Sequence, residues 1–444
     1  MTDPTTATVR NQYEHLPYPH RDPENERREL RRTWLDDLPM IAHYGYGGAQ
    51  PFDNGFRVLV AGGGTGDATI FLAEQLRHTD AEVVHVDLSS ASIAVAQRRA
   101  ELRGLGNIRW VRESLLDLPR LGLGTFDYIN CVGVLHHLDD PDAGLKALLD
   151  VLKDDGLLGL MVYATYGRTG VYQMQSLMRL VNESAPDAGE QLARTKAILP
   201  ALPRGNWFKR GEDLYSDHRT GDAGIYDLLL HSRDRAYTVG ELYDWIEGAN
   251  GLHMTLTDVQ RGRAPYLPHL LMGPKPPDLL HQIRQLPQRK QHEIGELYCG
   301  SVQTHSFFAT RQPDRVARYG DAALVPFFYH EPVTGPDIAR LFKSHQGRPF
   351  VLDHVHTGVA VTVTPGRWRR SVLEHIDGRR TWGEVFARVR AEPALQAAAP
   401  TDEALFEDFR EIYEILNAIE RLLLRRPSGS IRGGGEAPFR RSSA

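Results

Sequence analysis

Three glycines alternate in the run Val58-Leu59-Val60-Ala61-Gly62-Gly63-Gly64-Thr65-Gly66-Asp67. Gly62, Gly64 and Gly66 let the chain turn sharply and let a ligand reach the backbone without meeting a Cβ. The helical pattern beyond them offers, at its start, N–H groups with no partner inside the helix. A second β-run, Val83-Val84-His85-Val86-Asp87, ends in an acid 21 residues after Gly66. A carboxylate at the end of a second strand can accept hydrogen bonds from both hydroxyls of a ribose. The plainer alternative is that Asp87 only caps the next helix. Turn and acid together describe a site for an adenosine ligand. His136 and His137, Tyr163, and His231 within Ile225–Val239 are the groups nearest to it in the pattern that can move a proton or shape an acceptor pocket.

These residues need a frame. Arg57–Ala61, Glu82–Asp87, Asn107–Arg112, Phe126–Val132 and Leu157–Ala164 read as strands. Asp67–Arg77, Ser90–Arg103 and Pro141–Leu152 read as helices between them, the last with Asp140 as N-cap and Pro141 in its first turn. Strands alternating with helices predict a mostly parallel sheet with right-handed crossovers, whose ligands bind beyond the carboxyl ends of the strands. The alternation lapses after residue 168. It resumes at Thr238-Val239-Gly240-Glu241, a capping box that opens a helix to about Ala249. Residues 252–261 and 301–310 read as two further strands of the same sheet. Beyond about 312 the texture changes, with a second capping box at Thr381-Trp382-Gly383-Glu384 and a helix over Glu403–Leu424.

The chain has 444 residues, 41% of them hydrophobic and 25% charged, which excludes a wholly disordered chain. Lys and Arg number 52 against 57 Asp and Glu, so the net charge of −5 gives no global basic field for nucleic acid. Two cysteines, Cys131 and Cys299, are too few for a disulfide framework or a cysteine zinc site, and the expectation is a reduced, cytoplasmic protein without a metal. The polar start, Met1-Thr2-Asp3-Pro4, lacks the pattern of a secretion signal. No apolar stretch approaches the roughly 20 residues of a membrane span.

Gly-x-Gly-x-Gly separates the two adenosine ligands that compete for such a site. A nicotinamide or flavin dinucleotide requires Gly-x-Gly-x-x-Gly behind its pyrophosphate, and here the third glycine comes one residue early. The motifs together resemble those of the class I S-adenosylmethionine-dependent methyltransferases over about residues 57–165 and the sheet-closing strands. The resemblance implies an α/β fold: a Rossmann-like class I methyltransferase sheet with helices on both faces and helical insertions. The run Val372–Thr381 separately resembles small winged-helix modules, and a small C-terminal α+β domain of that type is expected. The methyltransferase resemblance implies S-adenosyl-L-methionine as cofactor, with Gly62, Gly64 and Gly66 along its methionine part, Asp87 and Leu88 at the ribose, and Ser114 and Leu115 at the adenine. Cys131 would face the methionine end. The run Tyr13 to Pro19 is similar to segments ahead of the core in bacterial members, with Tyr13 and Tyr18 closing on the cofactor. Two positions depart from the pattern. Val60 stands where the family carries an acid, and Ser114 where it carries an aspartate.

The expected organisation is an N-terminal lid over 1–55, a cofactor-binding core over 56–165, and a helical insertion capping the substrate over 166–250. Sheet-closing strands over 251–311, an accessory domain over 312–426 and a disordered tail over 427–444 complete it. Methyl transfer depends mainly on positioning, and a base is needed only where the acceptor must lose a proton early. His136, His231 and Tyr163 are the candidates for that part, with Asp234–Arg235 read as a salt bridge anchoring the capping box. The acceptor would be N or O on a protein, peptide or small metabolite, and a homo-oligomer is compatible. The alternatives are a tRNA methyltransferase, a catalytically silent scaffold that binds the cofactor, and a dinucleotide oxidoreductase.

Overall fold

The computed structural model describes Glu14 and residues 17–231, 233–258, 262–272, 277–329, 334–354 and 359–427. Tyr13 and all but the first residue of the expected tail lie outside them. The central sheet runs in the order β3-β2-β1-β4-β5-β8-β7. Its strands are β1 (Arg57–Ala61), β2 (Glu82–Asp87), β3 (Ile108–Arg112), β4 (Phe126–Val132), β5 (Leu152–Ala164), β6 (Ala236–Tyr237), β7 (His253–Thr257) and β8 (Thr304–Thr310). β1 to β5 are parallel, β6 pairs with β5, and β7 and β8 add antiparallel to close the edge. Val58, Leu59, Val60 and Ala61 are all buried because β1 is covered on both faces. The strand order reverses between β1 and β4, which opens a crevice above their carboxyl ends.

The crossover helices follow their sequence signals. Ser89 caps Ser90–Arg103 and Gly104 ends it in the left-handed region, and Asp140 accepts from Asp142 and Ala143 at the start of Pro141–Asp150. That helix stops short of Leu152, because β5 begins there and extends five residues further back than its apolar run predicts. Leu152 pairs with Phe126 across a register shift that admits the polar turn Lys153–Asp155 into the strand. Helices Thr169–Val181, Ala188–Ile198 and Asp222–Leu229 form a separate layer around Val171, Met174, Phe208 and Leu228.

The C-terminal region is α+β. Helices Gly335–Ser344, Trp382–Ala391 and Asp402–Ala418 enclose Trp382, Phe386 and Phe409. β10 (Phe350–His354) pairs with β11 (Val359–Val363), and β9 (Val325–Phe328) with β12 (Leu422–Arg425). The helix expected to reach Leu424 ends at Ala418 instead: Glu420 takes a positive φ of 55° and Leu422–Arg425 pairs as β12. β9 and β12 send Phe327 and Leu423 into the cluster that also holds Val58, Tyr44 and Phe308, so this region shares a core with the sheet. Leu424 N–H donates to His43 Nδ1 at 3.0 Å, and burial pushes the His43 ring down to about 4, consistent with a neutral acceptor.

Candidate functional site

A cavity of about 710 Å³ opens above the carboxyl ends of β1, β2, β4 and β5. Its size lies within the range of about 300–1,000 Å³ usual for small-molecule sites. Gly62 and Gly64 line its floor with positive φ values of 73° and 52°. A Cβ on Gly64 would stand 2.8 Å from the Tyr18 carbonyl oxygen, so the turn and the N-terminal segment close on each other only with glycine there. Gly66 does not reach the cavity. It precedes helix Asp67–Gln75 at φ 97°, where a Cβ would meet Ala96 at 2.7 Å, and its part is helix packing.

Asp87 sits at the end of β2 with its side chain bridging two segments. Oδ2 accepts from Gly64 N–H at 2.7 Å and Oδ1 from Ser89 N–H at 2.8 Å. Burial raises its pKa, against the backbone donors that lower it. It therefore braces the glycine turn as well as facing the cavity, while Ser89 does the helix capping. Leu88, Ser114 and Leu115 line the same wall. Ser114 Oγ accepts from Leu116 N–H at 3.2 Å, so its hydroxyl is in part a cap.

Cys131 requires a correction. Side chains alternate along a strand, and in β4 it is Asn130 and Val132 that line the cavity, while Cys131 points into the core. Burial pushes its thiol up to about 12.

The N-terminal segment is tied across this site. Thr65 Oγ donates to Pro19 O at 2.7 Å, and Arg21 grips Asp67 at 2.6 Å. Asp67 also pairs with buried Arg99 at 2.7 Å, and Arg99 and Arg103 both hold Glu26. The Glu14 carboxylate accepts from Ser90 N–H at 2.9 Å and Ala91 N–H at 3.2 Å, an anion at a helix N-terminus. Tyr18 lines the cavity.

Tyr163, Arg168, Asp217, Asp227 and His137 also line the cavity. Of the three candidates for proton transfer, Tyr163 alone reaches the cavity. Burial keeps its hydroxyl protonated, with its pKa raised well above the ordinary 10. His136 is fully buried behind it, its ring centroid 3.9 Å from that of Tyr163. Burial and then the neighbouring His137 hold its pKa far below 6.5. His231 is also off the cavity, stacked on His137 at 3.9 Å and accepting from Arg233 N–H at 3.1 Å. The histidine that lines the cavity is His137. Its Nδ1 lies 2.9 Å from the Arg233 carbonyl. A carbonyl only accepts, so Nδ1 carries the proton and Nε2 keeps a lone pair.

Two side chains that pattern reading passed over complete the lining. Arg168 is 2% exposed and lies 3.5 Å from the centre of the Tyr163 ring. It pairs with Asp234 at 3.5 Å, which corrects the Asp234–Arg235 bridge: Arg235 instead approaches Glu241 at 3.9 Å. Asp36 is 1% exposed and accepts from Asn130 Nδ2 at 2.7 Å. Neither carried a motif, because each lies far along the chain from the Gly-rich turn.

A family model described as a methyltransferase domain matches residues 59–158. An uncharacterized protein of Synechococcus sp., syc1184_c, is 32% identical over 316 residues, which cover 70% of this chain and 73% of that one. The chain belongs to the class I S-adenosylmethionine-dependent methyltransferases. A ubiquinone biosynthesis O-methyltransferase of Acinetobacter baylyi is 29% identical over 134 residues, covering 30% of this chain and only 50% of its own length. PKMT2 from Rickettsia typhi shares the fold at a TM-score of 0.60 and 16% identity, over 88% of this chain and 75% of its own.

The methyltransferase uses S-adenosylmethionine. Its residues fit that group: the Gly62–Gly64 floor has no room for a Cβ, and Asp87 presents a carboxylate beside it. No helix among the described residues is long and apolar enough to cross a membrane.

Proposed function

We propose that the enzyme methylates an amine nitrogen on a protein, peptide or small metabolite. One observation carries this reading: among the described residues eight acids line the cavity against two arginines, and Asp227 Oδ2 lies 3.5 Å from the Tyr163 hydroxyl. Such a lining concentrates cations and repels polyanions, which favours an amine and disfavours tRNA. S-adenosylmethionine, when bound, would supply an electrophilic sulfonium methyl group. Asp227 holds an acceptor ammonium, Tyr163 donates a hydrogen bond within the pocket, and His137 Nε2 takes the proton that must leave before attack. Residues 1–55 act as the lid: the contacts of Glu14, Pro19 and Arg21 support that reading. Residues 166–250 serve as the substrate cap, since Arg168, Asp217 and Asp227 come from them. A cytoplasmic setting belongs to the proposal, supported by two free thiols.

The test is methyl transfer from radiolabelled cofactor into fractionated cell extract. Label that resists mild base, is recovered after acid hydrolysis as an N-methylated amine and falls at least tenfold in Asp227→Asn, with binding of S-adenosylhomocysteine retained, supports an amine acceptor. Label released as methanol by base marks an ester and overturns it. No label in any fraction would favour the silent scaffold.

A further inference from the structure

Asp36 is a buried carboxylate that lines the cavity, and among the described residues no cation pairs with it. Its neighbours are neutral: Asn130 Nδ2 donates to Oδ1 at 2.7 Å, the Tyr128 hydroxyl lies 3.2 Å from the same oxygen, and the Thr33 side chain stands beside the carboxylate. The arginine beside it, Arg32, pairs with Asp37 instead. Its position is fixed from several sides. Gln75 Nε2 donates to its carbonyl at 2.9 Å, and the Tyr128 hydroxyl also meets Leu35 O at 2.8 Å. A buried carboxylate in that setting is costly unless a cation or further donors reach it. Burial accordingly raises its pKa to about 6.

The sheet decides which part of the ligand lies there. Asp87 ends β2, and Leu88, Ser114 and Leu115 extend that wall towards β3. Asp36 is held by two side chains of β4, and one of them, Asn130, is the register partner of Val60 on β1. A cofactor with its ribose at Asp87 therefore carries its amino-acid end across β1 to β4. The motif offers no acid there, because Val60 is apolar. We propose that Asp36, brought in by the segment ahead of the sheet, binds the α-ammonium of the cofactor's methionine moiety. The assignment rests on the ligand being S-adenosylmethionine, but not on the identity of the acceptor.

The test is calorimetric titration with three ligands. S-adenosylhomocysteine carries the ammonium, its deamino analogue has hydrogen in that place, and 5′-methylthioadenosine lacks the amino-acid part. Wild type is expected to bind S-adenosylhomocysteine about 10- to 100-fold more tightly than the deamino analogue, the range for a hydrogen bond to a charged group. Asp36→Asn is expected to lose that factor for S-adenosylhomocysteine and to bind the other two within threefold of wild type. Equal wild-type affinity for the first two ligands overturns the proposal, and so does an Asp36→Asn variant that weakens all three alike. Should the variant not fold, a structure of the wild-type complex decides: an ammonium within hydrogen-bond distance of the Asp36 carboxylate supports the assignment, and one placed elsewhere overturns it. Wild type that binds none of the three overturns the cofactor itself.

Discussion

Asp87→Ala separates two tasks that one carboxylate performs. In the free protein it accepts from Gly64 N–H at 2.7 Å and Ser89 N–H at 2.8 Å, joining the glycine turn to the start of the next helix. Hydrogen bonds to a charged group contribute about 1.5–3 kcal/mol each when intact. Water from the cavity re-solvates the orphaned N–H groups in part, and Ser89 still caps the helix, so the expected loss of stability is about 1–3 kcal/mol. On the proposed assignment, the same carboxylate would take the two ribose hydroxyls in the complex. Losing two such bonds, at about 1.5 kcal/mol or more each, weakens binding by at least about 100-fold. Calorimetry with S-adenosylhomocysteine measures the second effect and urea unfolding the first. Asp87→Asn, which keeps one acceptor oxygen, should fall between wild type and alanine in both. An Asp87→Ala protein that binds within threefold of wild type would refute the reasoning, whatever its stability.

Three further outcomes follow from the same contacts. Gly64→Ala combines a positive φ, at about 1–2 kcal/mol, with a Cβ 2.8 Å from Tyr18 O. It should lower the melting temperature and speed proteolytic cleavage within residues 1–55, and an unchanged cleavage rate would count against the docked N-terminal segment. Glu26→Ala strips a buried carboxylate from Arg99 and Arg103. Breaking a buried pair costs about 3–5 kcal/mol, and Asp67 still holds Arg99, so a loss of about 3 kcal/mol is expected in denaturant unfolding, with less than 1 against it. Glu420, fully enclosed, has its pKa raised by burial from 4.5 to about 7. The folded state thus binds its proton more tightly than the unfolded state, so stability falls as pH rises from 4.5 through 7, by at most about 3 kcal/mol from this group. Glu420→Gln should remove that dependence, its stability advantage over wild type growing from pH 5 to pH 8; a constant difference across that range would exclude it.

Local signals placed most of the sheet. β1, β2 and β4 match the apolar runs residue for residue, and Asp140 caps the helix it precedes, while Ser89 and not Asp87 caps the helix after β2. The misses share a cause. β5 begins at Leu152 because Phe126 offers a pairing partner, and Leu422–Arg425 leaves the helical pattern because Val325–Phe328 does the same. Strand pairing is non-local, so neither is visible in a window of the sequence. Gly62, Gly64, Asp87, Leu88, Ser114 and Leu115 line one cavity because one turn and two strand ends bring them together. Cys131 was misplaced by one step of the strand's alternation, and His136 by its neighbour His137 taking the cavity side.

The sequence by itself determined where the turn and the acid meet. Alternating glycines after a β-run, followed by an acid at the end of the next one, come together at the switch point through contacts that are near in the chain. Only the tertiary structure decided what surrounds that point. Asp36 arrives from ahead of the sheet, and Arg168, Asp217 and Asp227 from the segment after β5, and all four meet in one cavity. Their side chains have no periodic or motif relation to one another. What joins them is burial: removed from water, each acid and base must find a partner in space, and the fold chooses which.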